Sequence, residues 1–385
     1  MLQEYEDILA YLMKKGFIKN EHIVDKNFSI ENASLRNCNL KIASGSGANY
    51  FLKQDIREGK NEDKSLASIG HEAEVYKLFE IIFKDTNVYD CLPRYYAFDP
   101  IEKVLLLETI TDSVNLAEYY MKKARFSPIL SGKLGKVLGI FHQVSASKKI
   151  FIEESIGNSA ILPWIFFIAH PEQGLYLNSS QSNLELIRII QQSAELSHSF
   201  EKLSQQWKST TLIHGDVKFV NCLVCPEIGS KHEFKLLLVD WELARIGDPC
   251  WDIGSTFSEY LIIWLSSIPI SMQHSPDEFL DFARFPLKKL QPSIRSFWKA
   301  YTDYSKIDNN DLPELLLRST CFAAVRLVQS AYEQSQIESN ISTKVIFLLQ
   351  LSSNILQRPF EACIQLLGLS ISNSPNDELQ LYKNY

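Results

Sequence analysis

One string in this 385-residue chain gathers several chemically capable side chains at close spacing: His214-Gly215-Asp216-Val217-Lys218-Phe219-Val220-Asn221. An aspartate on a tight turn can accept the proton of an attacking hydroxyl. An asparagine five positions later can offer its carbonyl oxygen to Mg²⁺, a hard cation that takes oxygen ligands. Gly215 lets the backbone turn beside the aspartate without a Cβ clash. A second acid, Asp240, follows 24 residues on, at the end of the apolar run 236–239 and within Asp240-Trp241-Glu242. A carboxylate that closes an apolar strand calls for a cation, and Mg²⁺ bridging nucleotide phosphates is a natural one. Two loops joined by a short hairpin can bring Asp216, Asn221 and Asp240 around one point. Upstream, Tyr50-Phe51-Leu52-Lys53-Gln54 sets a lysine among apolar neighbours, where it must pair with an anion or leave the core. The helix that follows offers Glu72 and Glu74. A lysine held by a helix carboxylate and aimed at α/β-phosphates is a device for positioning ATP.

Each signal has a plain structural alternative. Taken alone, the His-Gly-Asp string can also be a turn with a helix cap, Asp240 a strand-end cap, and Lys53 a lysine that snorkels to solvent. Their order along the chain favours the chemical reading: lysine strand, acidic helix, apolar strand, HGDxxxxN, apolar strand, DxE.

The elements that must position these residues follow from periodicity. Apolar spacing predicts a helix over 5–15, stopped by Gly16. Segments 28–33, 37–43 and 49–54 read as short strands, with Ser44-Gly45-Ser46-Gly47 as a hairpin turn. A charged loop over 56–64 precedes a helix over 68–83, with Val75, Leu78, Phe79 and Ile82 on one face. Strands over 95–99 and 103–108 complete a small mixed unit. Beyond Glu108 the pattern turns mostly helical: 115–123, 130–144, one long polar helix over 184–207 after a loop over 172–182, and several helices from 277 to 366. A strand is expected over 234–239 and a frayed tail over 370–385. The expected domains are 1–108, a nucleotide-binding sheet and helix, and 109–385, which carries the catalytic loop, the metal site and the acceptor-binding helices.

Composition narrows the class. Hydrophobic residues make up 45% and charged residues 22%, enough apolar mass for a large core and unlike a disordered chain. A net charge of −7 argues against a broad grip on nucleic acid or on an anionic membrane. The first fifteen residues include Glu4, Glu6 and Asp7 and lack the order of a secretory leader. The longest apolar runs, 161–169 and 260–270, fall short of the ~20 residues a membrane span needs. Seven scattered cysteines give no disulfide framework. The reading is a cytoplasmic protein. Cys222 and Cys225 spell CxxC but have no second pair at zinc spacing, and read as strand cysteines. His142 reads as a core histidine, and His71 as solvated on an exposed helix turn.

The chain resembles the aminoglycoside phosphotransferase and choline kinase group of the protein-kinase-like superfamily. The resemblance rests on His214-Gly215-Asp216…Asn221, on Val239-Asp240-Trp241-Glu242 and on Gly247-Asp248-Pro249…Asp252. It runs roughly over 28–260. It implies an α+β, two-lobed fold: a small antiparallel-sheet lobe with one helix, a larger helical lobe, and ATP in the cleft. It implies Asp216 as catalytic base, Asn221 and Asp240 as Mg²⁺ ligands, and Lys53 on the α/β-phosphates. Of the two glutamates it selects Glu72 as the partner of Lys53. Adenine would meet the backbone around Glu108, Thr109, Ile110 and Thr111, and Asp252 would brace the catalytic loop.

Three departures stand out. No GxGxxG precedes the lysine strand, so the turn over the phosphates falls on 31–37. Lys218, two residues past the base, is a protein Ser/Thr kinase feature that can steady the transferring phosphoryl group. The apolar stretch Ile161-Leu162-Pro163-Trp164-Ile165-Phe166-Phe167-Ile168 is unexpected for a polycationic sugar, though acids such as Glu172, Glu242, Glu259, Asp277 and Glu278 suit a cation. The expected activity is ATP- and Mg²⁺-dependent transfer of the γ-phosphate to a hydroxyl of a small molecule. The alternatives are a kinase of Ser/Thr in a precursor peptide and a catalytically inactive nucleotide-binding pseudokinase. Partners in nucleic acid or membrane are not expected.

Overall fold

In segment 38–54 apolar residues alternate, and alternation decides which side chains face which layer. The computed structural model describes residues 5–24, 28–33, 38–43, 49–55, 68–157, 161–226, 234–269 and 282–370. Strands β1 (Ser29–Asn32), β2 (Cys38–Ala43), β3 (Tyr50–Gln54), β4 (Tyr95–Asp99) and β5 (Val104–Glu108) form one antiparallel sheet in the order β1-β2-β3-β5-β4. Leu40, Ile42, Tyr50, Leu52, Val104 and Leu106 gather on one face with Ile8 and Leu12 of helix α1 (Tyr5–Lys14). Period-two geometry therefore sends Lys53 to the opposite face, opposite Leu105 on β5. β5 is buried along Val104–Leu107 because both faces are covered, which is why that strand is a continuous apolar run.

Helix α3 (Ile69–Ile82) packs on β4 and β5. Ser68 caps it by accepting the His71 N–H at 3.0 Å, a contact worth about 1 kcal/mol. The expected 68–83 helix is thus observed with its cap. His71 is not solvated: its Nε2 lies 2.6 Å from the Ala244 carbonyl.

The chain divides into two compact units. The first comprises Met1–Leu116, Ile150–Gly157 and Asn221–Ala244, and the second Ala117–Lys149, Asn158–Val220 and Arg245–Tyr385. The first unit adds a small antiparallel sheet to the larger one: β6 (Val114–Asn115), β8 (Cys222–Pro226) and β9 (Phe234–Leu238). Cys222 and Cys225 are buried on β8.

The second unit is mainly helical. Helix α5 (Pro128–Ser147) packs against α11 (Leu287–Ser305) so closely that a Cβ on Gly135 would lie 2.2 Å from the Phe297 carbonyl oxygen. Helices α10 (Pro249–Ser266), α12 (Leu312–Ser335) and α13 (Thr343–Gln357) form the other packed layer. A two-stranded ladder joins β7 (Thr211–Ile213) to β10 (Arg245–Gly247). Helix α10 starts where Asp248 accepts the Cys250 N–H at 3.0 Å and Pro249 opens the first turn. Gly-Asp-Pro is thus a helix-start signal, although the periodic reading of the sequence stopped short of this helix.

Two readings need correction. The stretch 184–207 is two helices, α8 (Gln181–Gln192) and α9 (Ala194–Gln205). Ser193 ends the first and caps the second, accepting the Leu196 N–H at 3.3 Å. The expected loop over 172–182 contains a short helix, α7 (Gln173–Leu177). The hairpin turn at 44–47, the loop over 56–64, most of the turn over the phosphates, Asp277, Glu278 and nearly all of the tail lie outside the described residues. Among the described residues no helix is long and apolar enough to cross a membrane. The architecture is α+β, an antiparallel-sheet N-terminal region followed by a mainly helical C-terminal part.

Candidate active site

In the first unit, Lys53 Nζ lies 2.9 and 2.8 Å from the two carboxylate oxygens of Glu72 and 2.7 Å from Asp240 Oδ1. Burial works against the ammonium, but Glu72 and Asp240 outweigh it and hold its pKa above the ordinary lysine range. The Glu72 side chain is 1% exposed and also accepts the Trp241 N–H at 3.2 Å. The Trp241 ring meets Phe79 of α3 edge-on, with centroids 4.8 Å apart. Helix α3 therefore fixes both the glutamate and the turn that carries Asp240. Glu72, rather than Glu74, is the partner of Lys53.

Asp240 adopts a left-handed backbone, φ +69°, which a non-glycine residue seldom takes without local support. The ladder between β8 and β9 pairs Cys222 with Leu238, and the Val239 N–H donates to the Asn221 carbonyl at 3.0 Å. Asn221 and Asp240 thus stand at the same end of one hairpin. The Asp240 side chain is 38% exposed, against 8% for Lys53, so it is the accessible member of the group. Two hard oxygen donors at one hairpin end fit Mg²⁺, which binds through one or two protein oxygens and fills the rest of its shell with phosphate and water. Among the described residues no cluster of three or more His, Cys, Asp or Glu could hold a metal by itself.

At the end of β5, the Glu108 N–H donates to the Arg94 carbonyl at 2.9 Å and the Thr109 N–H to the Asn49 carbonyl at 3.1 Å. Ile110 accepts from Ser113 Oγ at 3.0 Å, and Thr111 is exposed. The N–H groups of Glu108 and Thr109 are spent within the protein. A base docking along 108–111 would have to use other backbone groups.

In the second unit, Gly215 has φ +82°, which only glycine takes freely. The turn is braced by Asp252 of α10, whose carboxylate accepts the His214 N–H at 2.7 Å and the Gly215 N–H at 3.0 Å. His142 Nε2 lies 3.2 Å from the same carboxylate, and its Nδ1 lies 3.0 Å from the Tyr301 hydroxyl. A carboxylate only accepts, so Nε2 carries the proton. Burial raises the Asp252 pKa, yet the His142 and backbone contacts bring it below the ordinary range. His142 is therefore a core histidine tied to this brace.

Asp216 meets two cations. Arg326 Nη2 of α12 donates to Oδ1 at 2.8 Å, and Lys218 Nζ stands 3.3 Å from the same oxygen. Lys218 is also held by Glu333 of α12 at 3.0 and 3.2 Å. Burial alone would raise the Asp216 pKa, but Arg326 and Lys218 bring it below the usual carboxylate range. Glu259 of α10 accepts the Phe219 N–H at 2.7 Å, and burial pushes its carboxyl up to about 7. Arg326 and Glu333 escaped the sequence reading. The signal was there: Arg326, Gln329 and Glu333 recur at helical spacing along one helix. Of the other acids, Glu172 is exposed at the start of α7, and Glu242 lies beside Trp241 in the first unit. Within Trp164–Phe167, Ile165 and Phe166 are core, whereas Trp164 and Phe167 are 39% and 51% exposed.

The phosphotransferase enzyme family, APH, matches residues 81–273, half of the chain and both motif loops. The chain belongs to this family. It is a phosphotransferase that acts on hydroxyl groups. The match begins within α3, so Lys53 and Glu72 precede it. Among curated proteins none matches the chain. The structure is similar to that of a choline kinase from Cryptosporidium parvum, with a TM-score of 0.52 and 13% identity over 94% of this chain and 98% of that one. It is also similar to the amicoumacin kinase hAmiN, with a TM-score of 0.51 and 14% identity over 92% of this chain and 96% of that one. These likenesses show a protein-kinase-like fold.

Proposed function

We propose that this protein transfers the γ-phosphate of ATP, with Mg²⁺, to a hydroxyl of a small molecule. The observation that carries this reading is the Lys53–Glu72–Asp240 group, one ammonium shared by a buried and an exposed carboxylate. Lys53 would contact the α/β-phosphates while Glu72 keeps it in place. Asn221 and Asp240 would hold Mg²⁺, which supplies charge neutralisation for the phosphates when bound.

The remaining chemistry belongs to the His214–Asn221 loop. Asp216 would orient the acceptor hydroxyl and take its proton as the oxygen attacks the γ-phosphorus. The bond from that phosphorus to the β,γ-bridging oxygen breaks, and ADP leaves with the electron pair. The phosphoryl transition state is loose, so little basicity is needed and a carboxylate with a lowered pKa serves. Lys218 would steady the transferring oxygens, and Glu333 receives it between turnovers.

The two structural relatives support the small-molecule reading through what their names say: one is a choline kinase, the other an amicoumacin kinase in complex with AMP-PNP and Ca²⁺. Exposed Trp164 and Phe167 favour an acceptor with an apolar portion and keep a Ser/Thr peptide as the second reading. The test is an ADP-release screen with Mg-ATP against choline-like alcohols, amino sugars, macrolides, simple sugars and Ser/Thr peptides. Turnover with a small alcohol supports the proposal. Turnover with peptides alone moves the acceptor class, and ATP binding without turnover on any acceptor indicates a pseudokinase.

A further inference from the structure

A buried guanidinium is costly unless it is paired and hydrogen-bonded. The Arg326 side chain is 2% exposed. Nη2 reaches Asp216 Oδ1 at 2.8 Å, Nη1 reaches Gln329 Oε1 at 2.9 Å, and the guanidinium lies 5.2 Å from the centre of the Trp251 ring. Trp251 in turn donates its Nε1–H to the Gly215 carbonyl at 2.9 Å. The arginine thus grips the Asp216 carboxylate, and the ring it covers grips the backbone one residue earlier. Gln329, which orients the guanidinium, also donates to Glu333 Oε1 at 3.0 Å, and Glu333 holds Lys218. One face of α12 therefore arranges both charged side chains of the loop.

The two cations on Asp216 are not equivalent. The Lys218 side chain is 23% exposed and has closer contacts to Glu333 than to Asp216. It can leave for a phosphoryl oxygen while Asp216 keeps a cation. Arg326 is buried, stacked and hydrogen-bonded on both sides, so it is the fixed neighbour. A planar fork of donors also sets direction, which a lysine cannot do as well.

We propose that Arg326 is a positioning residue for Asp216: from α12 it fixes the orientation of the carboxylate that receives the acceptor's proton and keeps that carboxylate ionised. This deepens the proposed function and rests on its reading of Asp216. The charged and titratable groups facing Asp216 are Arg326 and, through Lys218, Glu333 from α12; His214 and Lys218 from its own loop; Asp252 and Glu259 from α10; and Arg245 from β10. Among these Arg326 makes the shortest ion pair to the carboxylate, so its removal should dominate any change in how Asp216 titrates.

The experiment compares wild type with Arg326→Gln, Arg326→Lys and Asp216→Asn. The Asp216 carboxyl is followed by ¹³C NMR across pH, its resonance assigned from Asp216→Asn. ADP release from Mg-ATP is measured in parallel with water as the acceptor. In Arg326→Gln the Asp216 titration should move up. Its kcat should fall about 10- to 100-fold, the usual cost of losing a partner that orients a working group, with KM for ATP unchanged. Arg326→Lys keeps the charge without the fork and should show a smaller fall with a smaller move. It serves as the deciding variant if Arg326→Gln does not fold. An unmoved titration in the folded variants overturns the proposal, as does a KM effect with kcat intact. If Asp216→Asn turns over ATP like wild type while Arg326→Gln still shifts the carboxyl, the base reading of the proposed function fails and the coupling of Arg326 to Asp216 stands.

Discussion

Lys53 and Arg326 are both buried cations tied to an aspartate, with side chains 8% and 2% exposed, but their surroundings differ in sign. Around Lys53 one ammonium faces two carboxylates, Glu72 and Asp240, and the second of these is open to solvent. Around Asp216 two cations, Arg326 and Lys218, meet two carboxylates, Asp216 and Glu333. The first group is one positive charge short, and the second is balanced. A group short of a cation gains when a divalent ion and its phosphates arrive. A balanced group has its geometry set beforehand, which is what a residue that must point at a hydroxyl requires. On the proposed function, ion and nucleotide binding would fall to the residues of the first unit and acceptor activation to those of the second.

The largest expected effects break each group at its aspartate. Asp216→Asn should lower kcat about 10³- to 10⁴-fold and leave Mg-ATP affinity as in wild type. Asp240→Asn should lower both. Equal effects on ATP affinity would erase the distinction between the two groups.

Next comes the buried pair. Lys53→Met leaves Glu72 without its cation in a water-free setting and should cost about 3–5 kcal/mol in urea denaturation. A loss under about 1 kcal/mol would show that the pair is solvated. Asp252→Asn should cost about 2–3 kcal/mol, because the His214 and Gly215 N–H groups and His142 share that carboxylate. A thermal melt that matches wild type would contradict the brace.

Much of this is legible in the amino-acid sequence, and the reason is local. Lys53 and the strand leading to Asp240 sit in segments whose periodicity fixes the face, whereas the choice of Glu72 over Glu74 is carried by the resemblance. The bracing role of Asp252 is carried by the resemblance in Gly247-Asp248-Pro249…Asp252 rather than by periodicity. What stays hidden is long-range. Arg326 lies 110 positions from Asp216, and nothing in local pattern links them. Ser193 is hidden for another reason: a single capping serine divides two helices whose polarity is alike. His71 looks exposed on its helix but meets a carbonyl 173 residues away.

The smallest expected effect is a pH dependence. The Glu259 carboxyl titrates near 7 in the folded protein and near 4.5 when unfolded. The folded state therefore binds this proton more tightly, and stability declines as pH rises from about 4.5 to about 7, then levels off. Glu259→Gln removes that decline. The variant should be more stable than wild type above pH 7, with the gap closing below pH 4.5. Parallel stability curves for the two proteins would place Glu259 in water.

The proposal that a divalent ion sits on Asn221 and Asp240 beside Lys53 is tested most directly by calorimetric titration of ATP into wild type and Asp240→Asn, with and without Mg²⁺. Wild type should bind ATP more tightly with Mg²⁺ than without it, and Asp240→Asn should lose that Mg²⁺-dependent gain. An Asp240→Asn protein that binds Mg-ATP as tightly as wild type would contradict the account.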